Sequence, residues 1–261
     1  MLPAGAQAPA ALDRPEIGQI SKDSVWVPTP ERVIRRMLQL ADVTPDDVVV
    51  DLGSGDGRIP IHAARHFGAR AIGVELEENL VRLSVAAATE QGVSERARFV
   101  RQDLYEFDLS IATVVALYIS PGVMTKLKPR LLALRPGTRV VSHQFTLDGW
   151  EPDEQVRVEG RNAYLWIVPA DARGTWRVAA GEESLRLQVG QDLAQLSMRG
   201  ERAGRVVQVI GTGLRGNEIR FTAFDRNGAA RHYQGRIEGS RMSGHSEGVG
   251  IPAQSWSAVR E

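Results

Sequence analysis

From Glu31 to Phe145 the apolar positions follow two alternating periods. Val33, Ile34, Met37, Leu38 and Ala41 recur at helical spacing across Glu31 to Ala41, which predicts a helix with one buried face. Thr29 stands where it can cap that helix, and Pro30 where it can take the first helical position. Val48-Val49-Val50 is a β-branched run of the kind a buried parallel strand uses. Ile59 to Phe67 reads as a helix, Ala69 to Val74 as a second strand, and Glu77 to Gln91 as a helix stopped by Gly92. Ala97 to Arg101, Ile111 to Ile119 and Thr138 to Phe145 supply three more strands. Between the last two, Val123 to Leu134 reads as a helix interrupted near Pro129 and closed by Pro136-Gly137. Val156 to Glu159 and Tyr164 to Val168 look like a terminal strand pair. Such β/α alternation predicts an α/β domain, a doubly wound parallel sheet with helices on both faces.

The texture changes at Pro169 to Gly174. Helical spacing disappears, and short alternating segments take over: Thr175 to Val178, Ser184 to Val189, Arg205 to Ile210, Glu218 to Phe221, Arg231 to Ile237 and Ser255 to Val259. Glycines and Asn227-Gly228 punctuate them. Six to eight strands are expected here, in a smaller antiparallel all-β barrel or sandwich. Trp176 and Trp256 bracket the segment and are expected in its core. His232 and His245 are isolated and expected at the surface or in turns. The organisation is therefore a flexible segment 1–24, an α/β domain 25–170 and a β domain 175–261.

Composition narrows the function classes. The 261 residues are 43% hydrophobic and 25% charged, with 32 basic against 32 acidic side chains. Zero net charge implies no global attraction to nucleic acid or to an anionic membrane. With no Cys, disulfides, thiolate catalysis and cysteine metal sites are excluded. No run approaches the roughly 18 apolar residues of a membrane span. Met1 to Ala11 lacks the basic region and apolar core of a signal peptide, so a cytoplasmic location is expected; a mature N-terminus left after removal of a leader is the alternative.

The chemistry is concentrated in Asp51-Leu52-Gly53-Ser54-Gly55-Asp56-Gly57-Arg58, between the first strand and its helix. Glycines let a backbone approach a ligand closely, and a helix start offers unpaired N–H groups. Asp51 stands just before the glycines, where a dinucleotide site would want pyrophosphate and no negative charge. A carboxylate there suits a cationic or amine-bearing ligand. Glu75 follows 24 residues later at the second strand tip, where an acid can accept both hydroxyls of a ribose. Asp103 stands at the third tip.

These residues resemble the class I S-adenosylmethionine (SAM) methyltransferases, whose first motif is the acid-x-Gly-x-Gly-x-Gly turn. Within them, Val27-Pro28-Thr29-Pro30, the Asp51 to Arg58 turn, Gly73-Val74-Glu75, Phe99 with Asp103-Leu104, and Arg135 to Ser142 followed by Phe145 and Trp150-Glu151-Pro152 resemble one family. It comprises the lysine methyltransferases of the adenine nucleotide translocase and the ATP synthase c subunit, together with bacterial relatives. The likeness runs from about residue 25 to 155. Two departures stand out. The mitochondrial members carry a membrane-targeting N-terminal segment, which is missing here, and they lack anything like residues 175–261.

The resemblance implies a Rossmann-like methyltransferase sheet, SAM as cofactor, and protein-lysine methylation. It implies that Asp51 holds the methionine amino end, that Gly53, Ser54 and Gly55 form the approach to the methionine, that Glu75 binds ribose, and that Asp103 with Leu104 binds adenine. Thr29 is expected over the carboxylate end, or as a plain helix cap. Tyr118, Phe145 and Trp150 are candidates to line an acceptor channel, against core packing; His143 is a candidate proton acceptor, against a structural role. Tyr118-Ile119-Ser120-Pro121 lacks the Asn/Asp-Pro-Pro-aromatic motif of amide- and adenine-methylating relatives, which disfavours DNA adenine and glutamine side chains as acceptors; no nucleic-acid partner is expected. No metal site is expected. The acceptor is a protein or a small molecule, and oligomeric state is not legible. Two other readings stay open: a small-molecule methyltransferase whose β domain shapes the substrate site, and a non-catalytic SAM-binding protein.

Overall fold

Residues 16–18, 20–21, 24–224, 228–248 and 250–261 are described in the structure, a computed structural model. Most of the expected flexible segment 1–24, and Asn227 of the Asn-Gly turn, lie outside the described residues. The chain divides into two compact units. One runs to Lys128 and includes Arg139–Trp166; the other is Pro129–Thr138 with Ile167–Glu261.

In the first unit a two-stranded ribbon, β1 (Ile20–Ser21) with β2 (Ser24–Val25), precedes α1 (Glu31–Leu40). A sheet follows from β3 (Val48–Leu52), α2 (Arg58–Phe67), β4 (Arg70–Glu75), α3 (Glu78–Glu90), β5 (Ala97–Arg101), β6 (Val114–Leu117), α4 (Pro121–Leu132), β7 (Arg139–His143), β8 (Glu154–Val158) and β9 (Arg161–Ile167). The strand order is β5-β4-β3-β6-β7-β9-β8, with β3 to β7 parallel and β8 antiparallel to β9. Val49, Val50 and Leu52 of β3, all four residues of β6, and Val140 and Val141 of β7 are fully buried. Helices on both faces explain why these strands read as continuous apolar runs.

Two helix expectations need correction. α1 begins with Pro30 at the N-cap and no side-chain cap bond, so Thr29 does not cap it. α4 starts at Pro121 and passes through Pro129 without interruption. Proline removes one N–H, but buried Leu127 and Leu131 on either side hold that turn in register. The fourth strand is also shorter than expected, because Leu109–Ile111 forms a 3₁₀ turn.

At the amino edge of the sheet, Asp47 gathers the elements. Its carboxylate accepts from Thr44 N (2.8 Å), Thr44 Oγ1 (3.1 Å), Thr113 Oγ1 (2.6 Å) and the Arg139 guanidinium. Arg139 also donates to the Ala41 carbonyl after α1 (2.9 Å).

The second unit holds one antiparallel sheet of nine strands, against the six to eight expected: β10 (Gly174–Ala180), β11 (Glu183–Asp192), β12 (Gln195–Arg202), β13 (Arg205–Val207), β14 (Val209–Arg215), β15 (Glu218–Phe224), β16 (Ala230–Glu238), β17 (Arg241–Gly248) and β18 (Ile251–Arg260). Its order is β13-β12-β11-β10-β18-β17-β16-β15-β14. The sheet curls until its ends meet, where Thr212 Oγ1 of β14 donates to the Leu196 carbonyl of β12 (3.1 Å). It is nearly a barrel. Alternate residues point inward and fill it: Trp176, Val178, Leu185, Leu187, Ile219, Phe221, Tyr233 and Trp256 are each at most 2% exposed. Phe221 stacks on Tyr233 at 4.6 Å, with Trp256 edge-on to both. The indole N–H of Trp176 reaches the Ala172 carbonyl (2.8 Å), and that of Trp256 the Gln234 carbonyl (3.0 Å). His232 and His245 are exposed strand residues.

The Asp47 network yields a stability prediction. Burial raises the Asp47 pKa, but bonds from Thr113, Thr44 and Arg139 outweigh burial and leave it below its ordinary 3.8. A carboxylate with a depressed folded-state pKa stabilises above its unfolded value, and that stabilisation is lost as pH falls through the folded one. Asp47→Asn is therefore expected to cost about 3 kcal/mol at pH 7, as for breaking a buried ion pair. Denaturant melts should show the variant and wild type converging in the acid limb; a gap that persists there would remove the charge from the account.

Candidate active site

The sequence-predicted residues collect at the carboxyl ends of β3 to β7. Connections leave β3 toward β4 on one side and β6 toward β7 on the other, so the crevice above β3 and β6 is the topological switch point where such sheets bind ligands.

The glycine turn is built on positive φ. Gly53, Gly55 and Gly57 have φ of +76°, +55° and +78°. A Cβ on Gly55 would lie 2.9 Å from Trp26 Nε1, and one on Gly57 would lie 2.6 Å from Phe99 Cε1. Backbone bonds tie the turn to its neighbour: Gly53 N and Ser54 N both donate to the Val74 carbonyl, at 2.9 and 3.0 Å. Ser84 Oγ donates to the Gly55 carbonyl (3.0 Å).

Glu75 is part of this scaffold. Its Oε2 accepts from Gly55 N (2.9 Å), and its Oε1 from Leu76 N (2.8 Å) and Glu77 N (3.0 Å). A carboxylate has about four acceptor sites, so about one is left for a ligand hydroxyl rather than the two expected. Asp103 is half-buried, as is Leu104, and its Oδ1 accepts from Tyr105 N (2.9 Å).

Asp51, paired in register with Gly73 and Ala116, is only 2% exposed. Burial first, then the neighbouring Glu75 and Asp56, push its carboxyl well above the ordinary range. Asp56 is itself paired with Arg58 (2.5 Å), whose Nη1 donates to the Thr29 carbonyl (3.1 Å). Ser54 Oγ is buried with no hydrogen-bond partner among the described residues.

A second cluster faces the tips of β6 and β7. The Tyr118 and His143 rings lie 4.0 Å apart, and Phe145 is roughly parallel to Tyr118 at 6.2 Å. Thr29 Oγ1 lies 3.2 Å from His143 Nδ1, which is where that hydroxyl goes instead of capping α1. His143 is fully buried, its Nε2 has no partner among the described residues, and burial followed by Arg161 lowers its pKa to about 4. Trp150 does not join this group. It is 3% exposed, its ring packs 6.3 Å from Trp166, and its carbonyl accepts from Trp166 Nε1 (2.7 Å). Sequence reasoning missed Trp26, whose signal was its place just ahead of Pro28-Thr29-Pro30.

The ANTKMT methyltransferase domain family matches residues 51–154. A protein-lysine N-methyltransferase of Saccharolobus islandicus is 46% identical over 149 residues, 55% of this chain and 92% of that protein. The adenine nucleotide translocase lysine N-methyltransferase of Mus musculus is 38% identical over 129 residues, 49% of this chain and 56% of that protein. A crystal structure described as an RNA methyltransferase from Salinibacter ruber, in complex with S-adenosyl-L-homocysteine, is 51% identical; the match covers 56% of this chain and 95% of that one, with a TM-score of 0.55.

Asp51→Asn tests the buried charge. An acid whose folded pKa is raised lowers stability progressively as pH rises from its unfolded value through its folded one. Removing it should raise the unfolding midpoint of the ligand-free protein by a few degrees at pH 7, with little effect at acid pH. A lowered midpoint at pH 7 would show that the carboxylate is neutralised in the fold.

Proposed function

The chain belongs to the ANTKMT methyltransferase family, and on that premise we propose that it transfers a methyl group from SAM to lysine side chains of a protein. The carrying observation is Asp51, buried at the switch point, its pKa pushed up by burial and by neighbouring acids, with no basic side chain paired to it among the described residues. A cationic amino end satisfies it as no dinucleotide phosphate can.

The residues present suit the cofactor. Asp51 would take the methionine amine, and Ser54 Oγ supplies a buried polar atom that still lacks a partner. Gly53 and Gly55 let the backbone come close. Glu75 keeps one acceptor site for ribose while holding the turn, and Asp103 and Leu104 flank the adenine side. When bound, SAM supplies a sulfonium methyl that the lysine amine displaces in line, so orientation and desolvation are what the protein must provide. Tyr118, Phe145 and His143 would wall the acceptor side. A lysine amine titrates near 10.4 and must lose its proton first. His143, with a pKa of about 4, is too weak a base to collect that proton near neutrality. Its part is a neutral wall, with Thr29 against Nδ1.

The filled barrel counts against a small-molecule site inside the second unit. The Salinibacter ruber relative keeps an RNA acceptor as the second reading. Incubation with methyl-labelled SAM and cell extract separates them. Label should appear in methyl-lysine after acid hydrolysis and survive ribonuclease; label lost to ribonuclease would favour RNA, and SAM binding without turnover would favour a non-catalytic role. In the same assay Asp51→Asn should weaken SAM binding at least about tenfold, as for a hydrogen bond to a charged group. The rate should climb with alkaline pH and show no inflection near 6.5; an inflection there would restore His143 as proton acceptor.

A further inference from the structure

A group of side chains outside this site has no assigned role. Glu31 opens α1, and His62 and His66 stand four residues apart on α2, hence on one helix face. Their donor atoms lie within 4.8 Å of one another. The two imidazole rings are 4.3 Å apart and tilted at 39°. His62 is 6% exposed, and its Nε2 has no hydrogen-bond partner among the described residues. Its Nδ1 points at Glu31 Oε1 from 3.9 Å, beyond hydrogen-bond reach. A ring nitrogen buried this deeply is usually hydrogen-bonded, so one left unpartnered calls for an explanation.

We propose that Glu31, His62 and His66 bind a divalent transition-metal ion of the zinc type, bridging α1 and α2. Two imidazoles and a carboxylate are a donor set that zinc uses when a fourth position stays open to water. Tetrahedral donors with bonds of about 2.0–2.1 Å sit about 3.3 Å apart. Glu31 and His66 are both exposed, so closing to that spacing asks for rotamer changes at those two side chains. Arg35 and Arg65 also face His62 and oppose a cation; the Glu31 carboxylate offsets them.

Such an ion would join α1 to α2. Glu31 directly follows the segment in which Trp26 packs on the glycine turn and Thr29 touches His143. A metal joining Glu31 to α2 would fix that segment against the turn from which α2 starts.

The test uses the full chain, free of any affinity tag and stripped with a chelator. Calorimetry with Zn²⁺ should give one ion per chain, Zn²⁺ should raise the melting temperature, and Co²⁺ should give the visible absorption of a four-coordinate site. Glu31→Gln and His66→Gln should each weaken binding at least about tenfold and abolish the thermal shift, while metal-free melting stays unchanged. His245→Gln, in the barrel, should bind as wild type. Stoichiometric binding that survives both ligand substitutions, or wild-type affinity no tighter than theirs, overturns the proposal.

Discussion

The first unit is organised around one constraint: the backbone between Asp51 and Arg58 must run through three left-handed glycines and still be held rigid. Rigidity comes from the next strand. The Val74 carbonyl takes two amides of the turn and the Glu75 carboxylate takes a third, so the tips of β3 and β4 form one piece. Trp26 closes on Gly55 and Phe99 on Gly57, leaving no room for a β-carbon at either. A carboxylate that looks like a ligand group in sequence is, in the fold, first a brace for the loop that would carry the ligand.

This arrangement separates stability from function along the sheet. At the amino edge Asp47 has every partner it needs and a depressed pKa. At the carboxyl edge Asp51 is also buried and has none among the described residues. Asp47 stands just before β3 and Asp51 lies near its carboxyl end. The difference marks which end was packed for the protein's own sake and which was left incomplete for a guest.

Much of this was legible because it is local. The Val48 to Val50 run, the glycine turn and the acids at successive strand tips are patterns within a few residues. What escaped depends on distant partners. Thr29 looked like a cap, yet its hydroxyl answers His143, far along the chain. Trp150 looked like a channel wall, yet Trp166 claims it for the core. Pro129 looked like a break, yet a buried leucine on each side carries α4 through it. In the second unit β12 and β17 went unseen because Gln195–Arg202 and Arg241–Gly248 are mostly polar or glycine, with too few apolar positions to display the period. The Arg205 to Ile210 segment was read as one strand, but the chain breaks at Gln208 to end one edge of the sheet and begin the other.

The place of β18 in the barrel has a kinetic meaning. It is the last strand to be made, yet it lies mid-sheet between β10 and β17 and brings Trp256 onto Phe221 and Tyr233. Every other neighbouring pair is joined by a hairpin, whereas β10 must wait for a partner about eighty residues downstream. Until that partner emerges, two half-sheets expose unpaired edges and an aromatic face. The unit is thus at its stickiest just before completion, which makes the final strand the step at which a growing chain is most exposed to misassembly.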